Sequence, residues 1–163
     1  MLVALVAMAA SAQQHRHCVR DAGRALTRGL VYNSSVSKLE GEWHVPVILA
    51  AFQDVPFATD DIAAKWDAML NKPGFSENGA AGCLSEYFEK QSGGKFKLHF
   101  DVFGPVTLSQ DMVDYGENRY GDDMNPEEMV HEASLLTGAD FATYDWDHND
   151  TLDVVMVVFA GYG

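Results

Sequence analysis

Positive charge is what this sequence has least of. Eleven Lys and Arg stand against 24 Asp and Glu in 163 residues, a formal net charge of −13. Without a basic surface to meet phosphates, nucleic acid is excluded as a partner. Cysteine is nearly absent. Cys18 and Cys83 permit one disulfide at most, and a free thiol suits the sequence equally well, so no disulfide scaffold holds this fold. No apolar run approaches the ~20 residues of a membrane helix, and no stable membrane span is expected. Catalytic signatures are missing too: there is no Gly-x-Ser-x-Gly elbow, no Walker loop and no dinucleotide fingerprint.

What is present is the material of a folded domain. Apolar residues make up 47% of the chain and aromatics 11%, enough for one globular core and too much for disorder. A monomer is expected. The acids are not evenly spread: residues 101–163 hold 14 of the 24 and a single base, Arg119. Such a half is either a solvated face or one that attracts cations. Residues 1–12 are apolar and uncharged and end Ala10-Ser11-Ala12, the pattern of a secretory signal with its small-residue cleavage site, although a basic n-region is lacking. An apolar N-terminal strand is the other reading. Export to an extracellular or periplasmic space follows from the first. Residues 13–42 carry Arg16, Arg20, Arg24 and Arg28 and then a polar run, and read as a leader, propeptide remnant or linker. His15, His17 and Cys18 there have no second cluster to complete a metal site. The structured domain is expected over 43–163.

Along that domain the pattern alternates between strand and helix. Residues 45–52 are almost continuously apolar, a buried strand with Pro46 near its start. Thr59, with Asp60 and Asp61 behind it, opens a helix whose Ile62, Trp66, Met69 and Leu70 repeat at helical spacing, and Pro73-Gly74 stops it. A second helix spans about 82–91, with Leu84, Tyr87 and Phe88 on its inner face. Phe96, Leu98, Phe100 and Val102 alternate with Lys97, His99 and Asp101, a half-buried strand. Gly104-Pro105 reads as a turn, after which residues 106–108 can continue the sheet, and 111–124 reads as a polar loop. Asn125 and Pro126 start a third helix with Met129, Ala133 and Leu136 on its core side, closed by Gly138. The run 154–160, apolar on both faces, is a central strand. The order strand, helix, helix, strand, helix, strand predicts a layered α/β (α+β) domain: a mixed twisted sheet with about three helices. With the sequence stopping soon after that strand, an exposed apolar face is expected beside 154–160 and 96–102.

The chain is organised around the stretch that enters this last strand, Asp145-Trp-Asp-His-Asn-Asp-Thr-Leu-Asp153. Asp145, Asp147, Asn149 and Asp153 stand at loop positions one, three, five and nine, and Thr151 at seven would add its backbone carbonyl. Alternating oxygen donors in a tight loop suit a hard cation, and calcium takes six to eight such ligands. Two features depart from the EF-hand scheme. Asp150 occupies the sixth position, where glycine is usual, and Met156 replaces the bidentate Glu at the twelfth. The same residues would also serve as a solvated acidic turn. Calcium is the expected ligand. His131-Glu132 on the third helix is half of a zinc motif, but Leu135 stands where His-Glu-x-x-His needs its second imidazole. No catalytic residue is assigned.

Three blocks carry a family resemblance: Val45-Pro-Val-Ile-Leu-Ala-Ala-Phe-Gln-Asp54, Ser85-Glu-Tyr-Phe-Glu-Lys-Gln-Ser-Gly-Gly-Lys-Phe96, and the acidic loop followed by Val157-Val-Phe-Ala-Gly-Tyr-Gly163. Together they resemble the immune-inhibitor-A-like secreted bacterial zinc metallopeptidases, over about residues 45–163. The resemblance implies the N-terminal subdomain of a zincin-type fold in a secreted endopeptidase acting on peptides or proteins, with calcium bound near its catalytic domain. It also implies that the His-Glu-x-x-His helix lies downstream of the Ala-Gly-Tyr-Gly strand, so this chain is expected to be a truncated portion of the enzyme that supplies no zinc ligand. A free-standing, non-catalytic calcium-binding interaction module of the same fold is the alternative.

Overall fold

The structure, a computed structural model, describes residues 4–6, 40–116, 118–119, 122–123 and 125–161. Four strands make the main sheet, in the order β1 (Ala4–Val6), β6 (Val155–Phe159), β2 (Gly41–Ala51) and β3 (Phe96–Thr107). β2 runs parallel to both β3 and β6, and β1 lies antiparallel on the outer edge of β6. The helices are α1 (Ile62–Asn71), α2 (Leu84–Gln91), α3 (Met112–Gly116) and α4 (Pro126–Thr137), with a small β4–β5 ladder (Asn118–Arg119, Asp122–Asp123) between α3 and α4. The mixed α/β layered architecture is therefore as the sequence pattern predicts. The expected signal over 1–12 and leader over 13–42 lie outside the described residues, apart from 4–6 and 40–42; Cys18 lies there as well.

β2 is the centre because its sequence can be buried on both sides. Val47, Ile48, Leu49 and Ala50 show no exposure at all, and each larger side chain among them contributes about 1.5–3 kcal/mol by leaving water. Strand alternation splits them. Val45, Val47 and Leu49 pack with Trp66 and Leu70 of α1, Phe100 of β3, and Met156 and Val158 of β6. Ile48, Ala50 and Phe52 pack with Tyr115 of α3, Met129, Val130 and Ala133 of α4, and Val155 and Val157. The topology explains the two layers. The chain steps from β2 to β3 through α1 and α2, then returns across β2 to β6 through α3 and α4. Crossovers of one hand, taken in opposite directions along a sheet, place their helices on opposite faces.

Several local expectations are corrected. β3 does not turn at Gly104-Pro105 but continues to Thr107, its register shifting by a bulge opposite Leu49. Gly104 permits this: at φ +96°, an added Cβ would sit 2.8 Å from the Leu49 carbonyl oxygen. The polar loop over 111–124 holds α3, whose Tyr115 is buried. α1 begins after Asp61 rather than Thr59, and neither side chain caps it. Leu136 is 49% exposed and Tyr87 56%, so the packed stripes of α4 and α2 are narrower than helical spacing suggested. Among the described residues, no exposed apolar face lies beside 154–160, since Val155, Met156, Val157 and Val158 are buried under helices on both faces.

The outer edge of β3 is closed by side chains instead of another strand. Asn71 donates to the Phe100 carbonyl at 2.7 Å and accepts its N–H at 2.9 Å. Ser85 donates to the Leu98 carbonyl, and Ser92 both donates to the Phe96 carbonyl and accepts its N–H. Alternate residues of a strand turn their backbone groups to the same side. Residues 96, 98 and 100 are thus the outward-facing ones, and their pairing removes a template for edge-to-edge association.

Candidate metal centre

The loop over 145–154 joins a 3-10 turn, Phe141–Tyr144, to the start of β6 and crosses the N-terminal ends of the parallel strands. Two aromatic side chains pin it to opposite faces of the sheet. Tyr144 is buried on the α4 side, where its hydroxyl donates to Asp101 Oδ2 at 3.1 Å and its ring meets Phe103 edge-on. Trp146 packs on the other face against Trp43, with ring centroids 5.3 Å apart, and against Phe96. Its Nε1 donates to the His44 carbonyl at 3.0 Å. Asp145, between the two, is held where the chain passes around the foot of the sheet.

The carboxylates converge from there. Asp145, Asp147 and Asp153 each offer an oxygen within 4.8 Å of the other two, and among the described residues they are the one group of three or more His, Cys, Asp or Glu side chains so close. Backbone bonds set the geometry. The N–H groups of Asn149 and Asp150 donate to the two oxygens of Asp145 at 3.0 and 2.7 Å, and Trp146 N–H donates to Asp153 Oδ2 at 2.7 Å. To fold back this tightly the loop places His148 at φ +59° and Asp150 at φ +62°. The sixth position therefore adopts the left-handed conformation that glycine usually supplies, and Asp is among the few residues that tolerate it.

The electrostatics agree with the geometry. Burial works against ionisation of Asp145, but the N–H groups of Asn149, Asp150 and His148 and the nearby His148 charge outweigh it and hold its carboxyl below the usual carboxylate range. The Asn149 and Asp150 N–H groups bond one Asp145 oxygen each. Of the expected donors, the structure thus brings Asp145, Asp147 and Asp153 together. Asn149 and Thr151 belong to the same loop, Asn149 through its backbone bond to Asp145. The donor set is all oxygen and carries three negative charges, which suits a hard divalent cation without selecting calcium in particular.

The His131-Glu132 pair forms no such centre. His131 is exposed, and Glu132 is turned inward, accepting the Ser109 N–H at 2.8 Å and the Tyr115 hydroxyl. Leu135, where a second zinc imidazole would stand, is 70% exposed. These residues do not fit a zinc ion.

Sequence reading missed a second polar cluster at the foot of the sheet. His44 of β2 lies directly opposite His99 of β3, and Asp101 follows two residues on. Asp101 Oδ2 is 2.7 Å from His44 Nδ1, and its other oxygen is 3.5 Å from His99 Nε2. An open groove of ≈ 430 Å³ runs beside them, walled by Trp43, His44, Asp101, Tyr144, Asp145 and Trp146. His99 and Asp101 stood on the wet face of a recognised strand. His44 did not, because β2 was read from residue 45, four residues inside its true start. Burial and the Asp101 bond push the Tyr144 hydroxyl up to about 12, so it remains a proton donor to Asp101 throughout the neutral range.

Among the described residues no helix is long and apolar enough to cross a membrane. Comparison with protein-family models and with curated proteins gave no match to this chain.

Proposed function

We propose that this chain is a calcium-clasped layer of a secreted zinc-metallopeptidase-type domain, in which Asp145, Asp147, Asn149, Asp153 and the Thr151 carbonyl hold the ion. The observation that carries the calcium reading is the convergence of three carboxylates in a loop whose sixth residue stands at φ +62°. The role is structural. A bound cation offsets the repulsion of clustered carboxylates and fixes the entry to β6, the strand that completes the buried centre of the sheet. No residue of this chain is assigned to the family's catalytic zinc or to peptide hydrolysis, and no catalytic step is derived. The peptidase reading rests on the three sequence blocks given above, and export to a calcium-rich compartment follows from it together with the apolar residues 1–12.

Calcium should raise the melting temperature of the purified chain, and Asp145→Ala should remove that response while leaving the chain folded. At a calcium concentration ten times Kd the gain is about 1.4 kcal/mol. A melting temperature indifferent to calcium ends the proposal. Translating the DNA downstream of the Gly163 codon tests the family half separately. A His-Glu-x-x-His helix there supports it, and its absence from every frame removes it without touching the calcium clasp.

One observation favours the non-catalytic alternative. Val113, Leu135 and Leu136 are large, apolar and exposed on α3 and α4. Under that reading the chain binds calcium and a protein partner, and Leu135→Asp together with Leu136→Asp abolishes the partner's binding without altering calcium affinity.

A further inference from the structure

We propose that His44, His99 and Asp101 form a second metal site, selective for a divalent transition ion of the zinc class and separate from the acidic loop. The argument starts from register. His44 and His99 are Cα partners on adjacent parallel strands, so their side chains leave the same face side by side, with ring centroids 5.1 Å apart. Asp101, two residues beyond His99, projects from that face as well. Two imidazoles and one carboxylate are the donors that zinc accepts from three protein ligands, with a fourth position left to water or another ligand. They are poor donors for calcium, which takes oxygen.

Without an ion the carboxylate lies between the imidazoles, one oxygen turned to each, at 2.7 Å and 3.5 Å. The three donors therefore do not yet share a vertex. A tetrahedral zinc with nitrogen ligands at about 2.0–2.1 Å would bring the two ring nitrogens to about 3.3 Å from each other. Reaching that arrangement needs the two imidazoles to turn toward one another, and both are 56% exposed. The carboxylate is held ready by Tyr144, whose hydroxyl donates to Asp101 Oδ2, an outer contact of the kind that orients metal ligands. His44 is steadied through its backbone, since its carbonyl accepts Trp146 Nε1. The neighbouring Glu42 and Lys97 on the same face pair with each other, so the site keeps the charge of its own donors. The open coordination position would face the groove beside Trp43 and Tyr144.

The test is a zinc titration of the full chain carrying His15→Ala, His17→Ala and Cys18→Ser, with calcium present to occupy the acidic loop. One zinc per chain at micromolar affinity is expected. His44→Ala and His99→Gln should each weaken it by at least about tenfold, the scale reached by lost outer contacts alone, while Asp147→Ala, outside the groove, leaves it unchanged. Cobalt(II) in place of zinc should give a visible absorption band that the same two variants abolish. His44 and His99 are surface residues, and far-ultraviolet circular dichroism confirms that each variant is folded. No uptake at submillimolar zinc, or uptake insensitive to both histidine variants, overturns the proposal.

Discussion

Asp145 accepts the backbone N–H of Asp150 at 2.7 Å, and Asp150 presents that N–H by standing at φ +62°. One acid is thus oriented by the unusual backbone of another, five residues on. Removing the side chain that makes this conformation tolerable separates backbone from charge. Asp150→Ala should destabilise the chain by about 1 kcal/mol, since a left-handed non-glycine residue costs roughly 1–2 kcal/mol. Asp150→Gly should keep or raise stability, because glycine adopts the conformation freely. Urea midpoints of the two variants decide this. Equal losses would mean that the Asp150 carboxylate, and not its backbone, matters to the loop.

Asn71 pairs with Phe100 as a neighbouring strand would, giving one donor and one acceptor. Asn71→Leu should cost about 1–3 kcal/mol, the range for two lost hydrogen bonds. It should also make the chain prone to associate through β3, because Phe100 would then expose both backbone groups at a sheet edge. Unfolding in urea reads the first effect and light scattering against concentration the second. A variant as stable and as monomeric as the parent would show that the side-chain cap on this edge is dispensable.

A pH dependence follows from Glu86. Backbone N–H groups of Gly74 and then Cys83 bond its carboxylate, and Lys90 adds to them, so its carboxyl titrates below the ordinary 4.5 despite partial desolvation. A lowered folded value means that the unfolded chain takes up this proton first as pH falls. The stabilisation is therefore complete above the unfolded value and is lost as pH drops through the folded one. Glu86→Gln should be less stable than the parent at pH 7, and the two should approach each other as pH falls below the ordinary carboxylate range. A difference that persists undiminished in acid would assign the effect to packing.

How much of this was legible in the sequence depends on which interaction fixed each element. β2, β6, α1 and α2 are set by apolar periodicity, as the runs 47–50 and 155–158 and the helical spacing of Trp66 with Leu70 and of Leu84 with Phe88 show. The convergence of Asp145, Asp147 and Asp153 was legible because their spacing is local. Long-range effects were not. β3 runs on through Gly104 only because the Leu49 carbonyl comes close enough to exclude any side chain there, a contact across 55 positions of sequence. Leu136 falls on the core side of α4 by spacing, yet the packed stripe consists of Met129, Val130 and Ala133. The His44–His99–Asp101 cluster needed strand register, which periodicity does not supply. The loop's anchoring by Tyr144 and Trp146 on opposite faces likewise depends on where the sheet ends.

The central claim is that the loop over 145–153 is a calcium clasp. Titration calorimetry with calcium chloride on the full chain at neutral pH tests it directly. The account predicts one ion per chain with Kd in the roughly 10⁻⁴–10⁻³ M range of extracellular calcium modules, and no binding heat for Asp145→Ala. Absence of binding at millimolar calcium, or binding unchanged in that variant, would contradict it.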